Sequence, residues 1–358
     1  MGQERFDAIR LARSPRIGPV TYRQLIARFG NASEALRALP DLARRGGGKM
    51  RALADERGIA AEVQRAEALG ARYLIWGDAE YPVLLAETAD APPVLSYRGD
   101  LDLARRRPCV AMVGARNASA AACRYARGLA QQLAGEGVVV VSGLARGIDT
   151  AVHQGAGNRT IGVIASGIDI AYPPENAPLQ DHVASEALLI AEQPPGTAPK
   201  AQHFPHRNRI IAGLSLATVV VEAAPKSGSL ITARLAGDYG REVLAVPGSP
   251  LDPRAQGCNQ LIREGATLIQ SATDIMEAIA HIDPRSVRSH SVQLEQPLLD
   301  VGEGERDAVA ALLGPVPVPV DELVRQSGFA PPAVQMLLLE LELAGRLERH
   351  AGGRVSLA

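Results

Sequence analysis

Between residue 108 and about residue 280, short apolar runs alternate with longer amphipathic stretches. The runs Val110–Val113, Val138–Val141, Thr160–Ile164, Leu188–Ile190, Thr218–Val221, Val243–Val246 and Thr267–Ile269 have strand length, and most are rich in β-branched residues, which predicts strands. Stretches such as Ala118–Leu133 and Leu230–Tyr239 carry apolar residues at helical spacing and separate most of them. Buried strands alternating with helices predict an α/β fold, a Rossmann-like, doubly wound and mostly parallel sheet covered on both faces.

The flanks have a different texture. Residues 1–70 predict small helices. Arg16-Ile17-Gly18-Pro19 leads into the apolar-periodic Tyr22, Leu25, Ile26 and Phe29, and Gly30-Asn31-Ala32-Ser33 ends that helix and caps the next. The turn fits a helix-hairpin-helix whose amides hold a DNA phosphate. It also fits a bundle of sterile-alpha-motif type that packs on a neighbour, which is the commoner use of a single such hairpin. Residues 71–107, with Tyr81-Pro82 and Pro92-Pro93, read as a connector packed on the core domain, which spans 108–283. Residues 284–304 read as a polar linker, and 305–358 as three helices and a hairpin with Gly352-Gly353 at its tip, the outline of a winged helix. Its third helix, Val334 to Leu343, is apolar and acidic, and the segment has five arginines against seven acids. That balance repels a phosphate backbone, so the segment is expected to pack or to contact protein.

A net charge of −1 over 358 residues means that any polyanion partner must be met by a local cluster of cations. Those cations are mostly arginines, since Lys49, Lys200 and Lys226 are the only lysines. Cys109, Cys123 and Cys258 are scattered and odd in number, as reduced structural thiols in a cytosolic protein are. No run has the length to span a bilayer and no apolar leader opens the chain, so a cytoplasmic protein without membrane contact is expected.

In an open parallel sheet, ligands bind beyond the carboxyl ends of the strands. The first strand ends in Gly114-Ala115-Arg116-Asn117, the second in Gly143-Leu144-Ala145-Arg146-Gly147-Ile148-Asp149, and the fifth is followed by Glu222 and Lys226-Ser227-Gly228-Ser229. The third and sixth end in Ser166-Gly167 and Pro247-Gly248. Glycine-rich ends and helix N-termini suit an anionic ligand. A further stretch, Phe204-Pro205-His206-Arg207-Asn208-Arg209, joins cations to an aromatic ring, as proteins do that hold single strands by phosphate contact and base stacking. One of Arg207 and Arg209 is expected to be tied in an internal ion pair, for example with Glu192 or Glu222.

The main rival is a nucleotide enzyme of phosphoribohydrolase type, with Asp149, Asp169 and Glu222 near the expected site. Its Pro-Gly-Gly-x-Gly-Thr loop is absent, as are a P-loop and a dinucleotide fingerprint after the first strand. His153, His203 and His206 lack metal-ligand spacing and read as surface or DNA-facing groups, and Ser142 has no evident histidine partner. No catalytic residue, cofactor or metal is expected. Asp149 reads as an N-terminal helix residue or an orienter of Arg146.

The ordered set Val-Gly-Ala-Arg (113–116), Ser-Gly-Leu-Ala-Arg-Gly-Ile-Asp (142–149), Tyr172-Pro173, Phe-Pro-His-Arg-Asn-Arg-Ile-Ile-Ala-Gly-Leu-Ser (204–215), Ser-Gly-Ser-Leu-Ile-Thr-Ala (227–233) and Val-Pro-Gly (246–248) resembles the DprA/Smf family, DNA-processing protein A. The resemblance runs from about Tyr81 to Ile269. It implies a single-stranded-DNA binder that protects incoming strands in natural transformation, helps load the RecA recombinase, and forms a homodimer through the Rossmann-like domains. By position, Gly114, Ala115, Arg116, Gly143, Arg146, Gly147, the Phe204–Arg209 segment, Ser227 and Gly228 would line the DNA pocket. Many relatives carry Lys where this chain has Arg146. The dimer surface would involve Leu261 and Ile262, with Leu268 and Ile269 more simply read as core.

Overall fold

The computed structural model describes residues 2–48, 52–105, 108–280, 302–350 and 352–358. Most of the expected 284–304 linker lies outside the described residues. The chain gathers into two units, Glu62–Ser289 on one hand and Met1–Ala61 with His290–Ala358 on the other.

The N-terminal helices are α1 (Gln3–Arg13), α2 (Pro19–Phe29), α3 (Ala32–Arg45) and α4 (Glu56–Ala68). Pro19 opens α2, where its missing N–H has no helical partner to lose. Gly30, at φ +80°, ends α2, and the Asn31 side chain accepts the Glu34 amide at 2.8 Å to start α3.

The large unit is built on nine strands: β1 (Arg72–Ile75), β2 (Val94–Gly99), β3 (Cys109–Gly114), β4 (Val139–Ser142), β5 (Thr160–Gly167), β6 (Leu188–Gln193), β7 (Ala217–Val221), β8 (Glu242–Ala245) and β9 (Thr267–Leu268). Their order across the sheet is β1-β2-β6-β5-β4-β3-β7-β8-β9. From β6 to β9 every neighbouring pair is parallel, while β2 joins β6, and β1 joins β2, antiparallel. The seven strands expected from the apolar runs are all present. Residues 71–107, expected as a connector packed on the core domain, contribute β1 and β2, whose short runs are separated by prolines that hide the period, yet they extend the sheet.

Two short helices, α5 (Val83–Ala86) and α6 (Asp102–Arg105), precede the longer α7 (Ala120–Gly135), α8 (Ile148–Ala156), α9 (Ala177–Glu186), α10 (His203–Gly213), α11 (Gly228–Asp238), α12 (Gln256–Arg263) and α13 (Ala272–Ala280). Val139, Val140 and Val141 of β4 are fully buried, so both faces of that strand are covered. Leu129 and Leu133 of α7 and Val152 of α8 pack with Val110, Met112 and Val140 in one cluster. Each such side chain contributes about 1.5–3 kcal/mol by leaving water. Cys109 and Cys258 are buried, and burial pushes their thiols up to about 12 and about 11, as befits unreactive packing groups. Outward from β3, the chain runs β4-β5-β6 on one side and β7-β8-β9 on the other. That reversal of order opens a crevice at the carboxyl ends of β3 and β7.

The C-terminal segment has α14 (Glu303–Ala311), β10 (Val318–Pro319), α15 (Val320–Ser327), α16 (Pro331–Ala344), β11 (Leu347–His350) and β12 (Arg354–Leu357), with its strands ordered β10-β12-β11. This is a winged helix. Val334, Leu337, Leu338 and Leu341 of α16 join its core, but Met336, Leu339 and Leu343 are buried as well. A helix apolar on all sides needs a second cover, and the N-terminal helices supply it. Gln24 donates to Gln335 at 2.9 Å, Thr21 donates to Glu342 at 2.8 Å, and the backbone at Gly46 lies so close to Glu340 that a β-carbon there would meet its carbonyl at 2.1 Å. Among the described residues, no helix is long and apolar enough to cross a membrane.

Candidate functional site

The loops that leave β3, β4 and β7 meet at the crevice, and glycine is what allows them to meet. A β-carbon on Gly114 would lie 2.0 Å from the Val221 carbonyl oxygen. Gly147, at φ +75°, sits so that a β-carbon would lie 2.3 Å from the Ala115 carbonyl oxygen. At Gly143 the missing side chain leaves room for Arg207, whose Nη1 would be 1.4 Å from a β-carbon. These glycines therefore serve loop-on-loop packing and the seating of an arginine. Gly143 also lines the smaller of the two clefts described below. The Gly143 and Ala145 amides are also engaged, donating to Asp149 Oδ2 at 3.2 and 3.3 Å. Gly228, by contrast, faces open space.

Beneath the β4 loop lies a buried polar layer. The Leu144 amide donates to His153 Nε2 at 3.3 Å, and His153 Nδ1 meets Thr160 Oγ1 at 2.7 Å, whose own hydroxyl donates to the Val140 carbonyl. With Nε2 accepting and Nδ1 donating, the ring is neutral. Burial, with the Arg207 charge adding to it, pushes its pKa down to about 3. His153 is thus an internal support for the loop, which corrects its reading as a surface or DNA-facing group. His203 is buried too, while His206 is exposed.

The arginines differ sharply in their surroundings. Arg116 is exposed, and its guanidinium stands 5.1 Å from the centroid of the Phe204 ring, a cation–π contact. Phe204 in turn meets Tyr172, with ring centroids 5.6 Å apart and planes tilted by 57°. Arg146, 62% exposed, pairs through Nε with Glu175. Glu175, and not Asp149, is therefore the group that orients it. Arg207 is only 6% exposed and donates from Nη1 to the Val163 carbonyl at 3.1 Å. Burial pushes its pKa down to about 10, opposed by Asp149, so the guanidinium keeps its charge at neutral pH. The same burial pushes the Asp149 carboxyl up, against Arg207 and the loop amides. Asn208 donates to the Gly228 carbonyl at 3.3 Å, tying α10 to the start of α11, where the Ser227 side chain is the cap.

Arg209 leaves the set. It is buried, pairs with Glu192 and donates to the Asp90 carbonyl, and lines neither cleft described below. Of the two arginines, it is the one tied in the internal ion pair. Leu261 and Ile262, on α12, are half-buried. Ile269 is core, but Leu268 is 46% exposed on the edge strand β9, which corrects its assignment to the interior.

Two neighbouring clefts result. The smaller, about 230 Å³, is walled by Tyr172, Pro173, Pro174 and Pro199, with Arg146 on its lining. The larger, about 720 Å³, reaches past Gly114 and Ala115 to Lys226, Ser227, Gly228 and Arg254. Arg116, Asn117, Phe204 and Arg207 line both. Tyr172, Asn117, Lys226 and Arg254 were not assigned to the DNA pocket from the sequence, although Asn117 and Lys226 stand in the strand-end loops and Tyr172 in the motif set. Tyr172 comes from the segment after β5, and its signal is an aromatic residue before a proline at a strand's carboxyl end. Among the described residues, no group of three or more His, Cys, Asp or Glu side chains has the placement to hold a metal ion.

Comparison with known proteins fits this geometry. Three family descriptions match successive stretches: a DprA-like N-terminal HHH domain at residues 2–65, DNA recombination-mediator protein A at 72–280, and a DprA winged helix domain at 293–353. The chain is 35% identical to Protein Smf of Synechocystis over 79% of either chain. It is 47% identical to DNA processing protein DprA of Streptococcus pneumoniae over 55% of this chain and 70% of that one. A crystal structure of DprA from Streptococcus pneumoniae aligns with a TM-score of 0.63 and 35% identity, covering 77% of this chain and 98% of that one. A structure of DNA processing protein A from Helicobacter pylori, described for its single-stranded-DNA binding mode, aligns with a TM-score of 0.54 and 27% identity, covering 59% and 96%.

Proposed function

Because the chain belongs to the DprA/Smf family of DNA-processing proteins, we propose that its twin clefts hold single-stranded DNA. The observation that carries this reading is Arg116 over Phe204 against Tyr172, with Arg146 and Arg207 beside them, at the sheet's switch point. Arginine forks grip phosphates and the exposed ring faces take bases, each stacked base contributing about 1–3 kcal/mol. Gly114, Ala115, Gly143, Asn208, Ser227 and Gly228 shape the floor, and Gly147 and Asp149 hold the β4 loop. Duplex binds more weakly, because its bases offer no free faces to the rings.

The wider role follows the family. The protein guards incoming strands during natural transformation in the cytoplasm and helps to load a RecA recombinase. It works as a homodimer of its Rossmann-like domains, with Leu261 and Ile262 at the contact. It acts as a binder and not as an enzyme. The acids on which a phosphoribohydrolase reading depends all hold structure: Asp149 takes loop amides, Glu222 accepts from the Ser119 amide and hydroxyl at 2.8 and 2.7 Å, and Asp169 accepts from Gly196 and pairs with Arg65.

The test is salt-dependent binding of a fluorescent oligo-dT to the wild type, Arg116→Glu and Arg146→Glu. Wild type binds with a steep loss of affinity on adding salt. Arg116→Glu weakens binding about 100-fold, the scale of one or two lost charge-assisted hydrogen bonds. Arg146→Glu weakens it too, but less, because Glu175 already pairs with that side chain. Equal affinity for matched single and double strands would remove the model.

A further inference from the structure

The two clefts differ in chemistry as well as size. Tyr172, Phe204 and three prolines wall the smaller one together with Arg116, Arg146 and Arg207, which suits a base and the phosphodiester beside it. The larger one ends at the N-terminus of α11, where the Gly228 amide region is open and Ser227 caps the helix. First-turn amides of an eleven-residue helix attract an anion. A second, independent feature borders the same space: the buried Arg207 side chain lines this cleft, and its Nε has no hydrogen-bond partner among the described residues.

The local charge inventory then limits what the anion is. Arg254 is held by Asp252 through two hydrogen bonds, at 2.9 and 3.1 Å. Arg207 faces Asp149. Among the described residues, Arg116 and Lys226 pair with no acid, so two positive charges remain uncompensated around the larger cleft. A phosphodiester link carries one negative charge, whereas a phosphate monoester carries about −1.5 to −2 at pH 7.

We propose that the larger cleft is a phosphate-monoester site, which takes the terminal phosphate of a DNA strand or the phosphate of a free nucleotide. The first source rests on the strand-binding role proposed above; the second stands without it. Lys226, Arg116, Arg207 and the Gly228 amide surround the three terminal oxygens, while the Phe204 face is left for the attached base.

The experiment measures affinity for internally labelled oligo-dT carrying a 5′-phosphate, a 3′-phosphate or hydroxyl ends, and in parallel titrates dTMP and thymidine by calorimetry. A phosphorylated end binds about tenfold tighter than a hydroxyl end, the scale of one charge-assisted hydrogen bond. Lys226→Ala, a change on an exposed loop, brings that ratio towards one. An end preference with no dTMP binding identifies a strand terminus as the source. Binding of dTMP but not thymidine, without an end preference, identifies a free nucleotide. Equal affinity for all ends with no dTMP binding overturns the proposal and leaves the strand reading intact. Binding of dTMP with no binding of any oligonucleotide keeps the cleft and overturns the strand reading.

Discussion

The crevice at the sheet edge and the winged helix both bring arginines and acids together, and they do so to opposite ends. In the winged helix, Arg306 pairs with Glu340 at 2.8 Å, and Arg349 with Glu342 at 2.8 Å, on and around the third helix. That helix is the one a DNA-reading winged helix would place in a groove. Here it is sheathed by α3 and its neighbours. At the crevice, Arg116 and Lys226 face solvent without an acid, and Arg146 is more than half exposed despite Glu175. A fold's usual habit of binding DNA is thus a poorer guide than the fate of each charge. Arg306 and Arg349 of the winged helix use their charges internally, whereas Arg116 and Lys226 at the sheet edge present theirs.

The largest expected effect separates the two regions by stability. Glu340 is 1% exposed, so removing its partner leaves an uncompensated buried carboxylate. Arg306→Met is expected to destabilise the winged-helix unit by about 3–5 kcal/mol, while Arg306→Met with Glu340→Leu recovers most of the loss. Urea unfolding monitors both, and oligo-dT affinity of the folded protein stays at the wild-type value. A drop in affinity comparable to that of Arg116→Glu would mean that the winged helix shares the site.

A smaller effect belongs to the crevice. His153 is neutral when folded, with a pKa pushed down to about 3, and has an ordinary value near 6.5 when unfolded. The unfolded state therefore takes up a proton that the folded state refuses. This support is complete above pH 6.5 and is lost as pH falls from there towards 3, at about 1.4 kcal/mol per pH unit. Between pH 7 and pH 5 the loss is about 2 kcal/mol. His153→Gln keeps a polar group under the loop and flattens that slope in urea unfolding; an unchanged slope would assign the acid sensitivity to another group.

The sequence made some of this legible, and the reasons are physical. The strands from β3 to β7 are largely buried apolar runs, while β8 and β9 at the sheet edge are more exposed, and a run of loops at one edge follows from parallel pairing. Arg116, Arg146, Phe204 and Arg207 sit in those loops or just after one, so locating the edge located them. Arg209 was separable from Arg207 by helical geometry: two residues apart on α10, they point to opposite sides, whereas Phe204 and Arg207 share a face. Tyr172 and Arg254 were not so legible, because each joins the site from a separate segment. Short-range pattern says nothing about which loop ends meet. For α16 the apolar pattern announced a second cover and not its identity.

The smallest expected effect is the sharpest test of the comparison. Arg354 is exposed on β12, at the wing, where a DNA-binding winged helix would touch the backbone. A phosphate contact there would contribute about one unit to the slope of log affinity against log salt concentration, and Arg354→Glu would remove it. The surrounding segment is net acidic and its reading helix is covered, so Arg354→Glu is expected to leave both oligo-dT affinity and that slope unchanged. Measured beside Arg116→Glu at several salt concentrations, it asks whether an exposed arginine on this protein binds DNA wherever it stands. A flat response at the wing and a collapse at the crevice show that position relative to the rings and helix termini, and not charge alone, makes the site. A matching fall in slope at the wing would extend the DNA path to the second unit.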